Sequence, residues 1–180
     1  MKALYIVKEC FFCYNLIRNE NYNGKERTIL PKALVTFASL TGNDEEIANI
    51  MTNSLVNLGI DARMVECQSV YATDFIEEDI CVVVTYTYGA AADLPDEIVD
   101  LYEELSDVDL TGKIFATLGS GEYDYEEFCK SVDDFTEQFK QTGAIQAGEA
   151  VKIELYPEDE DIPLIEQLAQ QCVDSYQQHR

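Results

Sequence analysis

The sequence predicts an α/β fold in which helices cover both faces of a five-stranded parallel sheet. From Lys32 onward, apolar segments of strand length alternate five times with segments whose apolar residues recur at helical spacing. The third apolar segment, Ile80 to Val84, contains no polar residue, as in a strand buried on both faces of a parallel sheet. A chain of 180 residues with 47% hydrophobic residues is long enough for one well-buried core.

The first half of this alternation contains three strands and one helix. Ala33 to Phe37 predicts the first strand. A helix follows it, because apolar residues recur on one face at Ile47, Met51, Leu55 and Leu58, and Gly59 marks its end. Ala62 to Cys67 predicts the second strand, and Ile80 to Val84 the third.

The second half contains two strands and three helices. A helix begins at Leu94 to Glu97, with Pro95 in its first turn, and its apolar positions are Ile98, Leu101 and Leu105. Ile114 to Leu118 predicts the fourth strand, and Val151 to Leu155 the fifth. The helix between these strands is marked by Phe128, Val132, Phe135 and Phe139. The last helix is marked by Leu164, Leu168 and Cys172.

The loop from Ser39 to Asp44 connects the first strand to its helix and is typical of a phosphate-binding loop. It offers the hydroxyls of Ser39 and Thr41, and Gly42 lets the backbone approach an anion at the helix N-terminus. It lacks the lysine of a Walker A loop and the glycine pattern of a dinucleotide-binding loop. An ordinary strand-to-helix turn with a polar N-cap is the alternative interpretation.

Two further loops follow strands whose carboxyl ends would lie beside the first loop in a doubly wound sheet. They are Thr85 to Asp93, after the third strand, and Gly119 to Tyr125, after the fourth. Both contain tyrosines, which suit a flat aromatic ring.

These three ordered loops, with Asp93-Leu94-Pro95-Asp96-Glu97 and Tyr125-Glu126-Glu127-Phe128-Cys129, make the chain resemble the short-chain flavodoxins from Lys32 to about Tyr176. The resemblance implies a flavodoxin-like three-layer sandwich with strand order 2-1-3-4-5. It also implies a monomeric, low-potential one-electron carrier that uses non-covalently bound FMN and is not an enzyme.

The resemblance assigns site residues by position. The FMN phosphate would be held by the first loop, through Ser39, Thr41 and the amides of Gly42, Asn43 and Asp44, with Leu40 in the same loop. Tyr88 and Tyr125 would cover the two flavin faces, and Gly89 would face flavin N5.

The third loop would line the pyrimidine edge of the flavin through Ser120, Gly121 and Glu122. The cofactor site would be completed by Thr85, Tyr86, Thr87 and Gly119. Within that set Tyr86, like Tyr123 outside it, is expected to be a packing or rim residue.

Two positions depart from the flavodoxin pattern. Asp44 stands where these proteins usually have threonine, so its carboxylate either repels the phosphate or turns away and leaves only its amide engaged. Ala90-Ala91 replaces an Asp-Gly pair that often follows the flavin-facing glycine, which removes one charge and one flexible residue.

The formal net charge is −23, and it is concentrated in the part of the chain that resembles flavodoxins. Residues 1–31 carry five basic and three acidic groups, so residues 32–180 carry seven basic and 32 acidic groups, a net charge of −25. This charge disfavours nucleic acid and anionic membranes as partners and favours basic protein surfaces. The expected partners are therefore a basic-surfaced flavodoxin or ferredoxin reductase and electron-acceptor enzymes. Solubility alone is the alternative explanation of the acidity.

The histidine and cysteine content and the hydropathy of the chain limit which catalytic chemistry and which cellular compartment are expected. The one histidine, His179, is second from the C-terminus, which excludes histidine-dependent catalysis. Several of the six cysteines lie in apolar segments, which predicts buried thiols, a reducing compartment and a cytoplasmic location. Cys10 and Cys13 could form a redox or metal pair, but no second pair completes a zinc site. No apolar run approaches the roughly 20 residues of a membrane span.

Residues 1–31 lie outside the resemblance and are expected to be a dispensable extension of a domain at 32–180. Met1 to Val7 could form a strand, but Lys8-Glu9 interrupts the apolar stretch too early for a signal peptide. Gly24 to Arg27 is what a purine-rich ribosome-binding site would encode, which favours a start codon assigned too early, with Leu30 as the true start. A disordered extension is the alternative.

Two other functions are compatible with this topology. A flavodoxin-like NAD(P)H quinone or azo reductase would need a substrate pocket over the ring. A phospho-receiver domain would need acidic residues after the first strand and a phosphorylatable aspartate after the third. Ser39 and Thr85 stand at those strand ends instead.

Overall fold

The computed structural model describes residues 18–22, 25–87, 93–124 and 127–180. Its first elements are two strands, β1 (Arg18–Tyr22) and β2 (Lys25–Ile29), which pair with each other in an antiparallel sheet. This hairpin falls within the expected N-terminal extension. The expectations for Met1 to Val7 and for the Cys10 and Cys13 pair concern residues outside the described ranges.

The main sheet is parallel and begins at Lys32. Its strands are β3 (Lys32–Phe37), β4 (Asp61–Glu66), β5 (Ile80–Val84), β6 (Ile114–Gly121), β7 (Ile145–Gln146) and β8 (Val151–Glu154). They lie in the order β4, β3, β5, β6, and both β7 and β8 pair with the remaining edge of β6. The predicted order 2-1-3-4-5 is therefore confirmed, with two short strands sharing the fifth position.

Within the described ranges, four α-helices cover the sheet: α1 (Asn43–Asn57), α2 (Val99–Glu104), α3 (Lys130–Gln141) and α4 (Ile162–Gln178). One face of the sheet packs against α1 and α4 through a core that includes Val35, Met51 and Leu168. The other face packs against α2 and α3 through a core that includes Leu34 and Phe139. Because neighbouring residues of a strand point to opposite faces, Leu34 and Val35 belong to different layers, and the three-layer architecture is confirmed.

The element boundaries differ from the sequence prediction at several places. β6 continues through Gly121, so Gly119, Ser120 and Gly121, which were expected in the third loop, end the strand instead. Cys67 opens a short 3-10 turn, Cys67–Ser69, after β4. The helix predicted from Leu94 is a series of 3-10 turn, short helix and second 3-10 turn, Asp96–Ile98, Val99–Glu104 and Leu105–Asp107. Leu155 has a φ of 55°, so the chain turns away from the sheet immediately after β8. Its amide still donates to the Gly121 carbonyl, at 2.9 Å.

The described cysteines and helices agree with the compositional expectations. Cys67, Cys81, Cys129 and Cys172 are buried free thiols. In the part of the chain that the structure describes, no helix combines the length and apolar character needed to cross a membrane.

Candidate functional site

Three loops meet at the carboxyl end of the parallel sheet, where β3, β5 and β6 lie side by side. The first loop joins β3 to α1, the second follows β5, and the third follows β6. Hydrogen bonds extend the sheet to the start of these loops. Ala38 donates its amide to the Val84 carbonyl, and Thr85 donates to the Leu118 carbonyl, each at 3.0 Å. The carboxyl end of the sheet is therefore the candidate site.

The first loop forms a cradle of neutral donors. Gly42 has a φ of 93°, and its amide donates to the Ser39 hydroxyl oxygen at 3.1 Å. Its carbonyl accepts the first helical hydrogen bond from the Glu46 amide, also at 3.1 Å. The amides of Asn43, Asp44 and Glu45 come before that bond, so helix geometry gives them no acceptor within α1.

The sequence left the orientation of the Asp44 carboxylate open, and the structure turns it towards the end of β6. Its carboxylate is buried, with 2% of the residue exposed. Its Oδ1 accepts the Ser120 amide at 2.8 Å, and its Oδ2 accepts the Ser120 hydroxyl at 2.7 Å. The side chain therefore connects the first loop to the end of β6. Burial raises its pKa from 3.8 to about 6, although the hydrogen bonds from Ser120 act in the opposite direction.

The end of β6, which leads into the third loop, requires glycine for packing reasons. A Cβ on Gly119 would lie 1.8 Å from the Thr85 carbonyl oxygen and 2.7 Å from Cγ2 of Val132. A Cβ on Gly121 would lie 2.8 Å from the sulfur of Cys129. Ser120 lies between them and is buried, while Glu122 is exposed. Both assigned glycines thus allow β6 to approach its neighbours closely.

The start of the second loop is fixed by contacts with the scaffold. The Thr85 hydroxyl donates to the Tyr86 carbonyl at 3.2 Å, and the Tyr86 hydroxyl donates to Glu97 Oε1 at 2.9 Å. Thr87 accepts the Ser131 amide on its hydroxyl oxygen at 3.1 Å, which ties the loop to the first turn of α3. These contacts place Tyr86 in a packing role.

The remaining assigned residues of the second and third loops lie outside the described ranges. They are Tyr88, Gly89 and Tyr125, together with Ala90 and Ala91. Their assignments stay predictions.

Two contacts at the rim could not be found from sequence patterns. Tyr123 is 68% exposed and stacks on Phe128 with ring centroids 4.2 Å apart. Its amide donates to Glu154 Oε2 at 2.9 Å, so the end of β8 supports the third loop. Glu154 has no motif around it, because this contact depends on strand pairing between distant segments.

The donor set suits a phosphorylated flavin. Neutral amides and hydroxyls at the start of α1 match a phosphate group. The first loop also includes Leu40, which is 71% exposed, beside the more enclosed cradle. The residues that the structure describes therefore fit FMN at its phosphate end.

Comparison with known proteins agrees with this fit. The flavodoxin family model matches residues 35–167. The chain is 40% identical over 134 residues to "Probable flavodoxin 1" of Bacillus subtilis strain 168, covering 74% of this chain and 84% of that protein. It is 32% identical over 135 residues to the flavodoxin of Maridesulfovibrio salexigens, covering 74% and 92%.

Solved structures show the same similarity. The flavodoxin of Streptococcus pneumoniae TIGR4 is 50% identical, with a TM-score of 0.77 and coverage of 79% of this chain and 98% of that one. A short-chain flavodoxin associated with a non-canonical PDU bacterial microcompartment is 40% identical, with a TM-score of 0.79 and coverage of 82% and 99%.

Proposed function

Because the chain belongs to the flavodoxin family, we propose that it is a low-potential one-electron carrier between a basic-surfaced reductase and downstream acceptor enzymes. Membership of the family makes it an FMN-binding electron-transfer protein and not an enzyme. The potential, the partners and the residue assignments are the proposed part. FMN, when bound, supplies the redox chemistry by accepting and releasing single electrons.

In the proposed site, the chain's residues hold and orient the cofactor. Ser39, Thr41 and the first-turn amides of α1 bind the phosphate. Tyr88 and Tyr125 cover the ring faces, and Gly89 faces the ring edge. These assignments are supported by where the residues lie in the chain. Each loop follows a strand, and the strands concerned adjoin each other in the sheet.

The observation that carries the partner proposal is the acidity around the three loops. Exposed carboxylates in or beside these loops are Glu45, Asp93, Asp96, Glu122, Asp124 and Glu127. A unit charge about 10 Å away contributes roughly 0.4 kcal/mol in water, and more near a low-dielectric surface. Several such groups together oppose the addition of an electron, which supports a low potential. The same groups attract a basic protein surface.

Salt dependence of electron transfer tests this proposal. The FMN-loaded protein is mixed with NADPH and a flavodoxin reductase, and reduction is followed by flavin absorbance. We expect the rate at limiting protein concentration to fall by at least about tenfold between low and high ionic strength, because steering is screened. Without reductase, NADPH should leave the flavin oxidised.

Two double variants test whether the acidic groups beside the three loops are the ones that attract the reductase. Glu122→Gln with Asp124→Asn removes two charges at the site. Glu77→Gln with Asp107→Asn removes two exposed charges near the opposite, amino end of β5 and β6. Only the first pair should slow reduction by the reductase. Equal effects, or rapid NADPH oxidation with a quinone and no reductase, would contradict the proposal.

A further inference from the structure

Asp44 places a carboxylate at the N-terminus of α1, which is the end of a helix that attracts anions. It is the second residue of α1, where helix geometry leaves amides without internal acceptors and favours negative charge. Its carboxylate turns inward and uses both oxygens on Ser120. A fixed carboxylate therefore already lies beside the cradle formed by Ser39 and Gly42.

No cation among the described side chains forms a salt bridge with Asp44. Salt bridges between described side chains are Arg63–Glu78, Lys130–Asp134, Lys140–Glu137 and Lys152–Asp133, and Asp44 is in none of them. The Cys129 thiol, whose pKa is raised chiefly by burial and also by the charge of Asp44, is buried and supplies no positive charge. Among the described residues, the Ser120 amide and hydroxyl donate hydrogen bonds to the Asp44 carboxylate, and the N-terminus of α1 adds its dipole.

We propose that Asp44 is a specificity-determining residue that limits how much the FMN phosphate contributes to binding, so that the site discriminates only weakly between FMN and riboflavin. This inference rests on the proposed phosphate site at Ser39 to Asp44. The carboxylate turns towards Ser120, but Asp44 is only two residues from Gly42 and is buried, so solvent screens little of its repulsion of a phosphate bound there. Riboflavin has the same ring and no phosphate, so its affinity is insensitive to that charge.

The ratio of the two dissociation constants measures this contribution directly. Apoprotein is titrated with FMN and with riboflavin at pH 8, and quenching of flavin fluorescence reports binding. Asp44→Asn keeps the shape of the side chain and an oxygen acceptor for Ser120 but removes the charge. We expect it to tighten FMN binding by about tenfold. A unit negative charge about 10 Å from the phosphate weakens binding by about that factor at an effective dielectric constant of about 20, and the substitution removes this charge. Riboflavin binding should change by less than about twofold.

Two further variants separate charge at this position from other effects. Glu45→Gln removes a charge from the adjacent, exposed helix position, and the riboflavin-to-FMN ratio should stay within about twofold of the wild type because solvent screens that charge. Asp44→Ser is a second neutral variant, with a side chain favoured at helix starts, and should raise the ratio as Asp44→Asn does. Circular dichroism of each apoprotein checks the fold.

The outcomes distinguish this inference from the function on which it rests. A protein that binds neither flavin would overturn the proposed function itself. FMN binding with an unchanged ratio in both neutral variants would overturn the role of Asp44 alone. Equal changes for both flavins would also overturn it, because they would assign Asp44 a purely structural role in holding the third loop.

Discussion

At the residue scale, Asp44 affects the stability of the apoprotein. Its pKa is raised from 3.8 to about 6 by burial, so the folded state binds a proton more tightly than the unfolded state does. Stability from this group is fully present below pH 3.8 and is lost as the pH rises from there through about 6. The Cys129 thiol beside it stays neutral over this range, because burial raises its pKa to about 12.

We therefore expect Asp44→Asn to stabilise the apoprotein at pH 8 and to lose that advantage progressively as the pH falls from about 6 to below 3.8. The shift of the pKa corresponds to a difference of about 3 kcal/mol at most, at 1.36 kcal/mol for each unit. Urea unfolding of both proteins across this pH range measures the difference, in which the contributions of the other carboxylates cancel. Glu45→Gln is the control and should follow the wild-type profile. A difference that does not vary with pH would contradict the assigned pKa.

At the element scale, the end of β6 depends on two glycines that meet different obstacles. Beside Gly119 the obstacle is the backbone carbonyl of Thr85, at the end of β5, which is fixed by its own pairing. Beside Gly121 the nearest obstacle is the sulfur of Cys129 at 2.8 Å, a side-chain atom that can move with a change of rotamer, and the Cys129 backbone nitrogen follows at 3.0 Å, a milder conflict than the 1.8 Å at Gly119. The two strands can approach so closely only without a side chain at Gly119.

Alanine at these two positions should therefore destabilise the protein unequally. We expect Gly119→Ala to lower the free energy of unfolding by about 3 kcal/mol or more, and Gly121→Ala by about 1–2 kcal/mol, since overpacking is relieved more easily by a side chain than by backbone. Urea denaturation of the two apoproteins gives the comparison. A Gly121→Ala protein that is the less stable of the two would contradict the packing explanation.

The elements that could be predicted from the sequence are those with strong local patterns. Short, mostly apolar runs predicted β3, β5 and β6, and helical spacing predicted α1, α3 and α4. The strand β7 has only two residues, and its pairing with Ile114 and Phe115 depends on contacts with β6, so no local pattern marks it. The candidate site shows the same difference. The first loop could be predicted from its composition. The hydrogen bonds from Ser120 to Asp44 and from Tyr123 to Glu154 could not, because they join segments far apart in the chain.

At the scale of the whole molecule, the main sheet is complete from Lys32 onward. The Lys32 amide donates to Asp79 Oδ2 at 2.9 Å, and the Pro31 carbonyl accepts the Asp61 amide at 2.8 Å. The hairpin of β1 and β2 belongs to a separate sheet. We therefore propose that the independently folding unit starts at about Pro31.

Deleting Met1 to Leu30 should accordingly leave the melting temperature and the FMN affinity unchanged. Thermal unfolding and flavin titration of the shortened protein check both quantities. A deletion extended to Leu34 is the contrasting variant, because it removes half of β3 and should prevent folding. A shortened protein that loses FMN affinity would mean that residues 1–30 contribute to the site.

The division of the fifth sheet position between β7 and β8 also affects whether the sheet edge can associate with other molecules of the same protein. An edge strand exposes unpaired backbone groups, and a long regular edge can recruit a strand from another chain. Here that edge consists of segments of two and four residues, interrupted at residues 147–150. The opposite edge strand, β4, exposes the charged residues Asp61, Arg63 and Glu66. Straightening residues 147–150 into one continuous strand would create a template for intermolecular β-pairing and promote aggregation through the sheet edge.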